Sequence, residues 1–246
     1  TNGHVCSQNV AIGVNALGGG LISGTNNNVA VGYNSSQGLQ QGSDNVSVGQ
    51  GSLNNASNVN SCTAIGKNAL FSCNAINNTA LGYQAGTTIT SGTNNTAIGY
   101  DAQVDVASNS NQIRIGNGTI SLATTQVAWT TSSDRRFKTK TENSILGLNF
   151  IKTLRPVSYI RKNDESKKTE YGFIAQEVET ALIKAGDINN GIISINDNGM
   201  YGVRYNDFIS ITVKAVQEQQ KLIEELQKAN AEMLKRIEKL EKNKSR

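Results

Sequence analysis

Ser91-Gly92-Thr93-Asn94-Asn95-Thr96-Ala97-Ile98-Gly99-Tyr100 is the stretch from which the fold can be read, and SGTNNNVAVGY at 23–33 echoes it. Working outward, the same pattern of a small residue, an aliphatic residue and glycine occurs seven times. The copies are Ala11-Ile12-Gly13, Ala30-Val31-Gly32, Ser47-Val48-Gly49, Ala64-Ile65-Gly66, Ala80-Leu81-Gly82, Ala97-Ile98-Gly99 and, with Arg in the small position, Arg114-Ile115-Gly116. Their glycines are 19, 17, 17, 16, 17 and 17 residues apart. A near-constant period marks stacked coils, each too small to hold a core alone. Asn/Gly-rich composition alone would suggest disorder, but disorder has no reason to keep a register.

Each copy reads as a short strand followed by a turn. Two positions before the aliphatic residue stand Val10, Val29, Val46, Thr63, Thr79, Thr96 and Ile113. Alternate residues share a strand face, and β-branched side chains suit a pleated surface. The residue between them is Ala or Ser in six of the seven copies, so the opposite face must be closely approached. Glycine then permits a bend that a Cβ would obstruct. Asn9, Asn28, Asn45, Asn78 and Asn95, four before glycine, suit turns in which the amide bonds the backbone.

Charge separates this region from the rest. Residues 1–133 carry only Asp44, Lys67, Asp101, Asp105 and Arg114, while the remaining residues carry the other 37 charged side chains. The net +4 is spread over a solvated region without interleaved aromatics, which argues against nucleic-acid binding. Hydrophobic residues at 37% and aromatics at 5% are thin for one large core, and no apolar run is long enough to span a membrane. Cys6, Cys62 and Cys73, an odd set without CxxC spacing, argue against a disulfide framework or a zinc site. No metal or cofactor is expected, and no carboxylate pair or His cluster in 1–132 suggests catalysis there. His4 reads as a surface residue without a role. Thr1 is not followed by a signal-peptide pattern, so the chain is expected to start inside a longer protein or after processing.

The second half changes character at Thr130-Thr131-Ser132-Ser133-Asp134-Arg135-Arg136-Phe137-Lys138. Apolar residues then recur at helical spacing from Ile145 to Leu154, with Pro156 as the exit. Val157–Ile160 and Tyr171–Ala175 predict strands around a polar tip at Asn163–Lys168. Gln176–Ala185 predicts a helix stopped by Gly186, and Ile192–Ile195 with Met200–Tyr205 predicts a hairpin. From Asn206 a long helix is expected. Its heptad seam has Ile209, Val216, Ile223, Asn230 and Ile237 at a, and Thr212, Gln219, Leu226, Met233 and Leu240 at d. Leu222 and Leu234 widen the stripe, which suits more than two strands or packing against a domain.

The N-x-A-I-G repeats over about 9–118 resemble the head of trimeric autotransporter adhesins, a left-handed parallel β-roll of three chains, and similar repeats occur in viral fibre proteins. Residues from about 130 to 220 resemble the self-cleaving intramolecular chaperone of phage tail spikes, endosialidases and neck appendages. That resemblance rests on S-D-x-R-x-K at Ser133, Asp134, Arg136 and Lys138, and on G-x-I-A-Q-E-V at Gly172–Val178. It rests also on Y-x-V-x-Y at Tyr201–Tyr205 and on Ala215-Val216-Gln217-Glu218. The resemblance implies that this domain trimerises, assists folding of the β-structured fibre before it, and then releases itself. It implies Ser133 as nucleophile, Lys138 as base, a cut between Ser132 and Ser133, and support from Asp134 and Arg136.

The chemistry is coherent by itself. A serine hydroxyl needs a positioned base, and a lysine amine serves only when neutral. Burial and the cations Arg135 and Arg136 would both favour a neutral amine. A serine and a lysine five apart do not share a helix face, so the segment must bend. Ser132 is the competing nucleophile. The expected fold is therefore mainly β with α: a repetitive trimeric β-roll over 1–118, a linker over 119–132, a small α+β chaperone domain over 133–208 and a coiled-coil helix over 209–246. The expected protein is a homotrimeric fibre, spike or appendage fragment of a virion, assembled in the host cytoplasm. Its outside partner would be a host cell-surface receptor or glycan, with no nucleic acid and no membrane insertion. A bacterial trimeric surface adhesin is the alternative.

Overall fold

A computed structural model describes residues 6–22, 24–162 and 166–244; His4 and the Asn163–Glu165 part of the expected hairpin tip lie outside them. The chain forms two compact units, one of residues up to Thr124 with Asn196–Asn198 and one of the remainder.

In the first unit the seven repeat copies are seven three-residue strands. They are β1 Val10–Ile12, β2 Val29–Val31, β3 Val46–Val48, β4 Thr63–Ile65, β5 Thr79–Leu81, β6 Thr96–Ile98 and β7 Ile113–Ile115. They form one parallel sheet in sequence order. Each copy pairs with the next position for position: Ala30 with Ser47, Ser47 with Ala64, Ala64 with Ala80. The unit is a β-solenoid with one strand per coil.

The strand's two faces have opposite fates. Ala30, Ser47, Ala64, Ala80 and Ala97 are fully buried, while Ile12 and Leu81 on the other face are 60% and 47% exposed. The closely approached face is thus the inside of the coil. Leu39, Leu53, Leu70 and Ile89, supplied by the turns, fill the space that the small strand residues leave. The turns bend through left-handed residues at fixed offsets: Asn34, Asn68 and Gln84 two after glycine, and Ser36, Leu53 and Leu70 four after it. Each such non-glycine residue costs roughly 1–2 kcal/mol, which the repeated coil-to-coil hydrogen bonds offset.

The structure adds a cause to two readings of the repeat. A Cβ built on Gly66 would stand 2.4 Å from the carbonyl oxygen of Gly82, so close stacking of coils, as well as the positive φ of 130°, demands glycine. The asparagine amides bond the backbone as expected, and they also reach across coils. Asn28, Asn45, Asn78 and Asn95 are buried, and they link one coil to the next. Asn45 Oδ1 accepts from the Cys62 N–H at 3.0 Å, and its Nδ2 donates to Val59 O at 2.8 Å and Asn28 Oδ1 at 2.9 Å. Asn95 likewise donates its N–H to Asn78 Oδ1 at 2.9 Å. A buried amide with several partners in neighbouring coils is a structural tie.

The second unit is a small α+β assembly. The helix expected from Ile145 shrinks to one turn, α1 Leu148–Ile151, because the Ser144 hydroxyl accepts from the Leu146 N–H and holds the entry in a non-helical turn. β8 Val157–Tyr159 pairs antiparallel with β9 Glu170–Gly172. The strand expected to reach Ala175 ends at Gly172 because α2 Ala175–Lys184 starts there. β10 Ile193–Ile195 and β11 Tyr201–Val203 form the expected hairpin, and α3 spans Asp207–Lys244. Phe150, Val178, Leu182, Ile192, Phe208 and Ile211 lie in the core. At 1.5 Å per residue α3 is about 57 Å long. It joins the core only through Phe208, Ile211 and Ala215, and every residue from Gln219 to Asn243 is exposed. No helix among the described residues is long and apolar enough to cross a membrane.

Candidate functional site

Ser132 and Ser133 stand in an extended, solvent-exposed stretch that ends in a 3-10 turn over Arg135–Phe137. Asp134 caps that turn: its carboxylate accepts from the Arg136 N–H at 2.8 Å, from Arg136 Nε at 3.0 Å and from Nη2 at 2.8 Å. The Lys138 N–H closes the turn by donating to Arg135 O at 3.0 Å. A short polar side chain before a turn commonly satisfies its free N–H groups in this way.

The turn supplies the bend that the five-residue spacing requires. It brings Lys138 Nζ within 2.7 Å of Ser133 Oγ, a distance over which a proton can pass between hydroxyl and amine. Lys138 therefore contacts Ser133, and Asp134 and Arg136 hold the turn between them. The guanidinium of Arg136 keeps the Asp134 carboxyl below the usual carboxylate range.

Two expectations about the lysine's surroundings change. Ser133, Asp134, Arg136 and Lys138 are all exposed in the single chain, so none of the described residues buries them. Arg136 is engaged by Asp134, so its charge is largely compensated and cannot act on the amine as a free cation. Trp129 and Phe137, which flank the pair, are about four-fifths exposed.

The other three motifs serve the packing of the second unit. Gly172 lies so close to Tyr205 that a Cβ would meet the phenolic oxygen at 2.3 Å, and the same oxygen accepts from the Phe173 N–H at 3.0 Å. Phe173 and Phe208 stack with centroids 5.2 Å apart. Glu177 pairs with Arg155. Glu218 accepts from the Leu148 N–H at 2.7 Å, at the start of α1, and also meets Lys214. The backbone bond and the lysine hold the Glu218 carboxyl below its ordinary range. Sequence reasoning gave these residues motif membership but not these partners, because Arg155, Tyr205 and Leu148 lie 22 to 70 positions from the groups they bond.

Comparison with curated proteins gives no match, and comparison with solved structures gives none either. A family model does match: the peptidase family described as the chaperone of endosialidase, over residues 133–187. This family is a self-cleaving peptidase domain. The match includes the Ser133–Lys138 turn and Gly172–Val178, and ends before Tyr201–Tyr205 and Ala215–Glu218. Residues 133–187, from the serine that touches Lys138 through the end of α2, are thus similar to the self-cleaving chaperone of endosialidases.

Proposed function

We propose that the chain is part of a homotrimeric viral fibre, in which the second unit registers three chains, assists folding of the β-solenoid and then cuts itself free between Ser132 and Ser133. The contact that carries this reading is the 2.7 Å approach of Lys138 Nζ to Ser133 Oγ. Ser133 Oγ attacks the Ser132 carbonyl carbon while Lys138 takes the hydroxyl proton. The Ser132–Ser133 C–N bond breaks, and the proton passes to the released amine. Water then hydrolyses the ester, leaving a carboxylate on Ser132 and the free Ser133 hydroxyl. Asp134 and Arg136 position the turn. Burial of the amine, which a single chain does not provide, is supplied by the other two chains, and cleavage therefore waits for assembly.

Intact mass after expression, read beside native mass, tests this. Wild type gives products of residues 1–132 and 133–246, whereas Ser133→Ala and Lys138→Ala stay full length as trimers. Lys138→Arg also fails, because a guanidinium does not deprotonate at neutral pH. Cleavage is first order in trimer. A wild-type trimer that keeps its full mass for days at neutral pH would sink the self-cleavage assignment and leave only the assembly role.

A further inference from the structure

Coil by coil, the solenoid repeats its buried polar tie, yet one coil breaks the rule. The position four before glycine holds Asn28, Asn45, Asn78 and Asn95 in its neighbours and Cys62 in this coil. Cys62 cannot offer the amide that the other coils use. A second thiol stands beside it: Cys73, seven after Gly66, where the corresponding residues of the flanking coils are Ala56 and Ile89. Both cysteines are fully buried and unoxidised.

The coil's closure brings the two together. Cys62 Sγ donates to Ala75 O at 3.2 Å and Cys73 Sγ to the same oxygen at 3.3 Å, so the sulfurs converge on one carbonyl. Asn78 Nδ2, from the next coil, donates to Cys73 Sγ at 3.3 Å. Eleven residues of sequence separation carry no disulfide signal; the contact is a product of the solenoid.

We propose that Cys62 and Cys73 are an oxidation site, at which a small peroxide links them into a disulfide that staples the fourth coil. The direction of the reaction follows from the hydrogen bonds. The neighbouring Cys62 thiol and the Asn78 Nδ2–H, which donates to Cys73 Sγ, hold the Cys73 thiol below its ordinary range despite burial, while the Cys73 neighbour and burial push the Cys62 thiol up. The Asn78 donor, which favours a negative sulfur, makes Cys73 the thiolate nucleophile. Its sulfur attacks one oxygen of hydrogen peroxide, the O–O bond breaks, and sulfenic acid and hydroxide form. Cys62 sulfur then attacks the sulfenic sulfur, the S–O bond breaks, and the Cys62 proton leaves in water. In sum, two thiols and one peroxide give one disulfide and two waters. Local opening of the coil gives a small peroxide access to the buried pair. Closing the 62–73 loop restricts the unfolded chain.

The test uses the folded full chain and a Cys6→Ser variant of it, treated with hydrogen peroxide, unfolded without reductant and alkylated. The expected result is a loss of two hydrogens from the peptide spanning Cys62 and Cys73, with neither cysteine alkylated, and recovery of both by reductant. The melting temperature of the solenoid rises by about 5 °C on oxidation. Cys62→Asn, which restores the asparagine of the other coils, loses the two-hydrogen change while keeping the fold. Unreacted thiols at both positions, separate over-oxidation of each, or pairing of either with Cys6 overturns the proposal.

Discussion

The two units solve the problem of satisfying a chain in opposite ways. The solenoid satisfies itself: coils hand their backbone, and four of them a buried asparagine, to the next, with hardly any charge and with leucines from the turns in the core. What remains unmet is its outward face of Ile12, Ile65, Leu81 and Ile98, which is exposed. The second unit has a compact aromatic core around Phe150, Phe173 and Phe208, yet its longest element, α3, leaves the core after Ala215 and carries Leu222, Ile223, Leu226, Leu234 and Leu240 uncovered. Repetition lets hydrogen bonds be met locally, whereas a lone helix meets its own hydrogen bonds and leaves its apolar stripe for something else. The first arrangement leaves one face uncovered, and the second leaves most of a helix uncovered.

That contrast can be broken at the helix first. Charged residues at both Ile223 and Leu226 would place three copies of each charge in one desolvated seam, and trimer should vanish from native mass spectra at micromolar concentration. The α1–α3 contact should survive, because neither residue belongs to the domain core. A stable trimer in that variant would mean that the exposed stripe is not the assembly surface. The next largest effect separates folding from persistence. Residues 1–132 expressed alone should aggregate, because seven strands in non-local pairing fold slowly and offer edges. The same fragment, released from an assembled chain, should stay a soluble trimer. Efficient folding of the isolated fragment would contradict the chaperone role.

Smaller changes sharpen the comparison within each unit. Asn45→Ala strands the buried Cys62 N–H and Val59 O and should cost about 3 kcal/mol, read from chemical denaturation of the released solenoid. An exposed residue of the same coils, such as Asn74, should cost far less. Glu218 gives the least. Its folded pKa is depressed by the Leu148 N–H and Lys214. Its contribution is therefore complete above the ordinary glutamate range and is lost as pH falls through the lower folded value. Glu218→Gln should flatten the acid side of the second unit's stability curve without altering its stability dependence near neutrality; an unchanged acid limb would remove Glu218 from that role.

Much of the solenoid was legible in its repeats. The seven repeat copies, six of them Ala/Ser-aliphatic-Gly, placed all seven strands, because a period near 17 and a strand alternation of two are both local properties. Alternation alone, however, defines two faces without saying which is inside. Closure of the coil decided that, putting Ala64 inward and Ile65 outward, and it turned Asn45 from a turn former into a tie between coils. The helix from Ile145 was overestimated because the Ser144 turn competes with helical spacing. At the site, the residue types and the need for a bend between Ser133 and Lys138 could be read from the chain. The turn capped by Asp134 set the 2.7 Å contact, and the pairing of Arg136 with Asp134 was invisible in a row of cations.

What the sequence determined by itself was therefore the set of short-range facts: strand positions, coil period, the Ser133–Lys138 spacing, and the long amphipathic helix. Tertiary structure alone decided the meetings of residues far apart in the chain. Gly172 lies under Tyr205, Glu218 holds the start of α1, and Cys62 and Cys73 share the carbonyl of Ala75. The reason is that periodicity encodes direction relative to a local axis, while contact between distant residues depends on how those axes close on one another.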